Sequence, residues 1–442
     1  MRGTLLKIFV LFLAINIAGV FSCAMAKADE SKQGTEEIAE TTEPEVTIKV
    51  PDSYYEKKIF LFPFEVPAYA FRAVIWPIGA IMETLEEKRV ISRAANALSN
   101  KKKTIFFYPQ IEGGAGSGFG GGIGFRATDL FDKGYQAHAH YKIHINLDQY
   151  AGGWFRKKDA FEVGNVPVSY MTRINWTYEH DDDYYGRGAS SSRGNHSEFS
   201  FNHIQGNFQL FFEIWKNIFV SAKVGGDGGA SGYNDSGGHP PVTTVFPRND
   251  LPGYGRWVDY FVGGVTFSHD TLDSLFMPRA GGRQKFQFDR YQNIGKGNFS
   301  YNEYIIEAVH YFPLWRPGLV FMARNQWVFQ QRTGNSQIPF YQLATLDAQN
   351  MLRGFDRGRF HDSASVVFNF EYMYPIWRMV EGVLLCDTGR VFDGPKDFSF
   401  SKFRYSAGGG FNIHMRKLVL IQFRAAYGGE GVKLMLGMSK SL

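Results

Sequence analysis

From about Thr104 onward the sequence alternates with a period of two, over segments longer than most soluble strands. In 135–146, Tyr135, Ala137, Ala139, Tyr141, Ile143 and Ile145 share one face, and Gln136, His138, His140, Lys142, His144 and Asn146 share the other. The pattern returns in 168–179, where Val168, Tyr170, Ile174, Trp176 and Tyr178 oppose Ser169, Arg173, Asn175 and Glu179. It returns again in 363–374, with Ala364, Val366, Phe368, Phe370, Tyr372 and Tyr374 against Ser363, Ser365, Asn369 and Glu371, and in 418–427. Successive side chains of a strand point to opposite sides, so each segment has one apolar and one polar face. A soluble sandwich buries its apolar faces in a shared core of short strands. An outer-membrane barrel turns them to lipid, with strands of ~9–11 residues or more, aromatic girdles at the strand ends and a wet interior. The length of the segments, their terminal aromatics and the charge on the polar face select the barrel.

Counting tests that choice independently. The pattern predicts strands near 105–112, 117–127, 134–146, 148–157, 166–179, 196–213, 216–227, 257–270, 281–292, 298–312, 317–330, 363–375, 379–391, 401–414, 418–427 and 431–440. An even number is what a closed antiparallel bacterial barrel needs. The longest connections, 180–195, 228–256 and 331–362, all follow odd-numbered strands, while those after even-numbered strands are mostly short. Long outer loops and short periplasmic turns separate in this way. The fold class expected is an all-β membrane protein, a 16-stranded antiparallel transmembrane β-barrel at 104–442, with a short N-terminal periplasmic segment.

The residues before it read differently. A basic start (Arg2, Lys7), an apolar stretch from Ile8 to Phe21 and small residues around Ala24, Ala26 and Ala28 read as a secretory signal peptide, residues 1–26. The alternative is a lipoprotein with Cys23 lipidated, against which the bulky Phe21 speaks. Cys386 then has no intramolecular partner, and disulfides play no structural role. Residues 27–103 read as a flexible acidic leader followed by a short amphipathic periplasmic segment interrupted by Pro77. Outside the N-terminus no run approaches the ~20 apolar residues of a spanning helix. The net charge of +5 over 442 residues, with no long Lys/Arg run, gives no reason to expect a nucleic-acid partner.

One stretch breaks the alternation sharply. "MLRGFDRGRFHD" (351–362) packs three arginines, two aspartates and a histidine into the sixth outer loop, between the eleventh and twelfth strands. "LRGF" (Leu352-Arg353-Gly354-Phe355) resembles the VRGF/Y motif of the bacterial surface antigen family, the outer-membrane assembly barrels of the BamA and TamA type. That resemblance implies that the loop folds back into the lumen. It also implies that Arg353 pairs with an aspartate of an F-x-D-x-G motif on the thirteenth strand. "LLCDTG" stands in that place, with Asp387 and Gly389 matching and Leu385 at the position of the aromatic. "FEYMYPIW" is similar to the family's E-Y-R-x-P-L segment through Glu371, with Met373 replacing the arginine. "SHDTLDSLFMPRAGG" resembles the D-x-R-D…P-x-x-G periplasmic turn through Asp270, Asp273, Pro278 and Gly281, with Leu272 replacing the arginine. "YYGRG" (184–188) and "YSAGGGFNI" (405–413) are weaker echoes.

The pairing makes physical sense without the family. A guanidinium offers a planar fork of five donors that suits a carboxylate at two points, and Gly354 lets the backbone turn tightly against a wall. The family's usual POTRA modules have no counterpart in the roughly 75 residues between signal and barrel. The final strand ends in Leu442 rather than an aromatic.

Other chemistries are weaker. His138, His140 and His144 share a strand face and could hold a metal, but Lys142 among them favours a polar lumen wall. "GSGFGG" (116–121) formally matches a dinucleotide fingerprint yet opens no helix. Asp181-Asp182-Asp183, taken as an outer loop, could bind calcium or simply be solvated. No Ser/His/acid grouping suggests an enzyme, and no cofactor is implied. The function expected is insertion or transport of polypeptide or lipid clients. The alternative is a passive pore or structural surface protein. The partners expected are outer-membrane lipid, and unfolded outer-membrane clients or periplasmic partners through 51–103.

Overall fold

The computed structural model describes residues 98–114, 118–234, 237–275, 277–346, 351–377, 379–415 and 418–438. The signal peptide, Cys23, the leader and most of the periplasmic segment lie outside the described residues, as do Leu442 and residues 116–117 of the Gly-rich motif. Among the described residues the strands are β1 (Ile105–Gly114), β2 (Gly118–Leu130), β3 (Tyr135–His144), β4 (Gln149–Val163), β5 (Val166–Tyr184) and β6 (Ser197–Trp215). There follow β7 (Ile218–Gly232), β8 (Val258–Asp270), β9 (Gly281–Asn293), β10 (Tyr301–Pro313) and β11 (Val320–Arg332). Two short strands, β12 (Ala344–Thr345) and β13 (His361–Asp362), form a separate two-stranded sheet. The last five are β14 (Ala364–Trp377), β15 (Val380–Phe392), β16 (Arg404–Met415), β17 (Leu418–Tyr427) and β18 (Val432–Met438).

All but β12 and β13 form one closed antiparallel barrel of sixteen strands, in which β11 pairs with β14 and β18 closes against β1. The alternation sets the two faces. Phe107, Ile111, Ile123, Tyr141, Ile143, Ile174, Phe208, Phe261, Val265, Phe267 and Phe286 lie exposed on the outer surface. A closed ring leaves no unpaired edge to face lipid, which is the condition for crossing a bilayer with strands.

The connections sort as their lengths imply. On one rim β2–β3, β4–β5 and β6–β7 are joined by two to four residues, with Asn217 and Gly164 in the left-handed region that tight turns require. On the other rim lie the long segments 185–196, 233–257 and 333–363. One correction applies here. Asp181, Asp182 and Asp183 are not in a loop but on β5, because the β5–β6 pairing resumes past a bulge, with Asp183 opposite Glu198 and Tyr184 opposite Ser197.

The apolar core sits where the long loops fold against the inner wall. One cluster joins Val258, Tyr260 and Val262 of β8 to Phe299, Tyr301, Ile338 and Leu343. A second joins Leu346, Leu352, Phe355 and Phe360 to Val367 and Val391. A third packs Tyr184 and Phe199 with Val242, Leu251 and Phe340. The loops are therefore structural elements of the lumen.

A charged loop bound across the lumen

Segment 351–362 descends into the barrel, and its three arginines reach three different parts of the wall. Arg353 meets β15 and β14. Its Nε donates to Asp387 Oδ2 at 2.9 Å and its Nη2 to Asp387 Oδ1 at 2.6 Å, while its backbone N–H also reaches Oδ2 at 3.1 Å. Its Nη1 pairs with Glu371. Asp387 is fully buried and takes two further bonds, from Asn369 Nδ2 at 2.9 Å and Ser406 Oγ at 3.1 Å. Burial opposes the Arg353 charge, but Asp387 and Glu371 outweigh it and hold the pKa above the ordinary arginine range.

The neighbours make the descent sterically possible. A Cβ on Gly354 would lie 2.5 Å from the Gly428 amide nitrogen and 2.5 Å from Ser406 Cβ, so only glycine fits there. Phe355 is buried in the cluster with Leu346 and Phe360, and Gly389 of β15 faces Leu346.

Arg357 points the other way. It pairs with Glu179 and lies 3.4 Å from Asp182 of β5 and 3.9 Å from Asp148, just before β4. Arg359 clasps Glu430 of the β17–β18 turn with Nε and Nη2 at 2.9–3.1 Å, and also Ser191 Oγ at 2.7 Å. Asp356 pairs with Lys433 of β18, and Asp362 takes Arg187 Nε at 2.7 Å. The charge of the loop is thus answered on both sides of the β1–β18 closure.

From Arg353 the polar contacts continue toward the other rim. Glu371 lies 3.9 Å from Arg424, whose Nη2 donates to Asn412 Oδ1 at 2.8 Å, and Asn412 Nδ2 donates to Glu381 Oε1 at 2.9 Å. Glu381 pairs with Arg279, which belongs to the turn between β8 and β9. That turn holds Asp270, Asp273, Pro278 and Gly281. Asp273 Oδ1 accepts the N–H of Arg279 at 2.9 Å and of Ala280 at 3.2 Å. Asp270 takes Arg283 Nε at 2.7 Å and the Leu272 N–H at 3.1 Å. Half-buried Pro278 precedes Arg279, and Gly281 ends the turn with a φ of 85°. These four order the turn; they do not meet Arg353, except through Arg279 and the chain above.

The profile of the Omp85 superfamily domain matches residues 168–429, more than half of the chain. The chain belongs to the Omp85 superfamily. Among solved structures this Omp85 barrel is similar to BamA from Haemophilus ducreyi lacking POTRA domains 1–3, at 16% identity and a TM-score of 0.57, over 76% of this chain and 70% of that one. It is also similar to CdiB from Escherichia coli, at 10% identity and a TM-score of 0.51, over 76% of this chain and 62% of that one. At such identities the likeness is one of fold. No curated protein sequence matches. As an Omp85 barrel of this fold it is an outer-membrane protein.

Several residues of the site escaped the sequence. Asp148, Glu179 and Glu430 carry no motif. Asp182 was seen only as part of an acidic run. Their signal was the imbalance of three arginines in one loop, which required acids elsewhere without saying where. The β3 histidines line the lumen: His138 Nε2 lies 2.6 Å from Tyr108 Oη, and His144 Nε2 lies 3.0 Å from Glu112, which also takes Lys142 Nζ at 2.5 Å.

Proposed function

We propose that this Omp85 barrel assists the insertion or passage of polypeptide clients at its own β1–β18 closure, with the 333–363 loop acting as a clamp across that seam. The observation that carries the reading is the loop's bonding to the wall on both sides of that closure, through Arg357 to Glu179 and through Arg359 to Glu430. Among the described residues the closure runs through Glu112–Gly437 and Gly113–Leu436. Opening it would free backbone donors and acceptors that an incoming strand can use, which is how a sheet edge captures an extended peptide. The loop ties β5 on one side to β15 and β18 on the other, so the ring holds its shape while the seam opens. In this reading Arg353, Asp387 and Glu371 form the lock, Gly354, Phe355 and Gly389 let it seat, and the Asp270–Gly281 turn steadies its lower end. No covalent step is involved. The outward face contacts outer-membrane lipid, and residues 51–103 are where periplasmic partners would meet the barrel.

The test is reconstitution into liposomes and timing the folding of an unfolded outer-membrane client, with empty liposomes as control. In a Cys386→Ser background, a disulfide between Gly113→Cys and Leu436→Cys should abolish the acceleration, and reduction should restore it. Acceleration that persists with the seam closed would sink the seam reading. No acceleration at all, with a conductance that rises in Arg353→Ala, would instead mark a plugged passive pore.

A further inference from the structure

Three side chains on the outer rim converge in a ligand set that the clamp does not use. His196 immediately precedes β6, Glu198 is its second residue, and His239 comes from the loop between β7 and β8. One ligand atom from each lies within 4.8 Å of the others. Backbone contacts bring them together: Glu198 N donates to Pro240 O at 3.0 Å, and Glu198 bridges to Pro241 in parallel. The His239 loop is thus held against β6 by the main chain itself.

Two observations point to an ion. Glu198 is 5% exposed, and its Oε2 accepts no hydrogen bond. The carboxylate takes the backbone N–H groups of His239 and Gly238, but an ionised oxygen buried without a donor of its own is costly unless a proton or a cation answers it. Gly237 closes over that oxygen so tightly that a Cβ there would lie 1.4 Å from it. The second observation is that the His196 and His239 rings stack with centroids 3.5 Å apart. The stack sets two imidazoles side by side, each with a ring nitrogen in the same cluster as a Glu198 oxygen.

The surroundings resemble the outer shell of a metal centre. Asp183 Oδ1 lies 2.6 Å from His196 Nε2, which orients the ring and leaves Nδ1 for an ion. Tyr185 stacks on His196 at 4.3 Å, and Arg359 of the clamp lies 5.0 Å over the Tyr185 ring.

We propose that His196, Glu198 and His239 bind a divalent transition ion of the zinc type, oriented by Asp183, and that this ion clips the 233–257 loop to the β5–β6 hairpin. Two imidazoles and one carboxylate suit a borderline ion with a fourth position open to water. Calcium prefers an all-oxygen shell of six to eight ligands, which these side chains do not supply. Through Tyr185 and Arg359 the clip also braces the clamp.

The full chain, folded in detergent and stripped with EDTA, is titrated with Zn²⁺ by calorimetry. One ion per chain is expected. His239→Ala, at an exposed position, should lower the affinity about tenfold or more, and Asp183→Asn about 10- to 100-fold. His138→Ala, in the lumen, should bind as the unaltered chain does. Co²⁺ bound to the unaltered chain should show four-coordinate visible bands that His239→Ala loses. No saturable binding, or equal binding by the unaltered chain and His239→Ala, would overturn the assignment. So would loss of binding in His138→Ala.

Discussion

The Arg353–Asp387 pair shows what a single residue does in this barrel. Arg353 is 6% exposed and Asp387 is fully buried, so removing either leaves the other charged and buried, Arg353 with Glu371 and Asp387 with the Asn369 and Ser406 hydrogen bonds. Breaking such a pair costs about 3–5 kcal/mol. Arg353→Ala should therefore lower the temperature at which the barrel loses its heat-resistant gel mobility. Asp387→Ala should do the same, and the double variant should be no worse than either single one. Additive losses would show that the two do not act together. His361, on β13 at the loop's outer end, adds a pH dependence. Burial, with the charge of Arg357, depresses its pKa to about 4. The unfolded chain then binds the proton first, so this contribution is complete above ~6.5 and is lost at about 1.4 kcal/mol per pH unit as pH falls toward 4. Hydrogen exchange of segment 351–362 should accelerate over that window, and His361→Gln should remove the effect.

Elements matter here through their ends. The β8–β9 turn crosses to β15 because Asp273 caps two of its N–H groups and Arg279 reaches the buried Glu381. Truncating Arg279 leaves Glu381, among the described residues, with the Asn412 hydrogen bond alone, at a cost of about 1–3 kcal/mol. Arg279→Ala should speed proteolysis of the turn in detergent micelles while leaving strand content unchanged by circular dichroism. Equal cleavage rates would mean that the turn holds without Glu381. The β5–β6 hairpin follows the same logic. Its first strand, β5, runs past the expected end at 179 because the pairing resumes beyond a bulge, which sets Asp183 opposite Glu198 at the rim.

The whole molecule inverts the usual arrangement of a core. The barrel's backbone bonds close the ring, and the apolar packing is supplied by loops inside it. Burying a large apolar side chain contributes about 1.5–3 kcal/mol, and Leu346, Leu352, Phe355 and Phe360 all come from 333–363. Ordering the loop offsets part of that gain. Replacing residues 335–360 by a short Gly/Ser linker should preserve the far-ultraviolet strand signal but markedly lower the thermal midpoint. An unchanged midpoint would place the stability in the strands alone.

Strand count, order, rim and the faces of each strand were legible because they rest on local rules. A period of two sorts lipid from lumen, and turn length sorts one rim from the other, whatever the rest of the chain does. Arg353, Gly354, Asp387, Glu371 and the Asp270–Gly281 turn could be named because short motifs mark them. The acids that meet Arg357 and Arg359, the run from Glu371 to Arg279, and the convergence of His196, Glu198 and His239 had no such mark. Those partners stand far apart in the chain, and closing the barrel and folding the loops inward bring them within bonding distance. Sequence periodicity determined the wall, and tertiary closure alone decided what meets inside it.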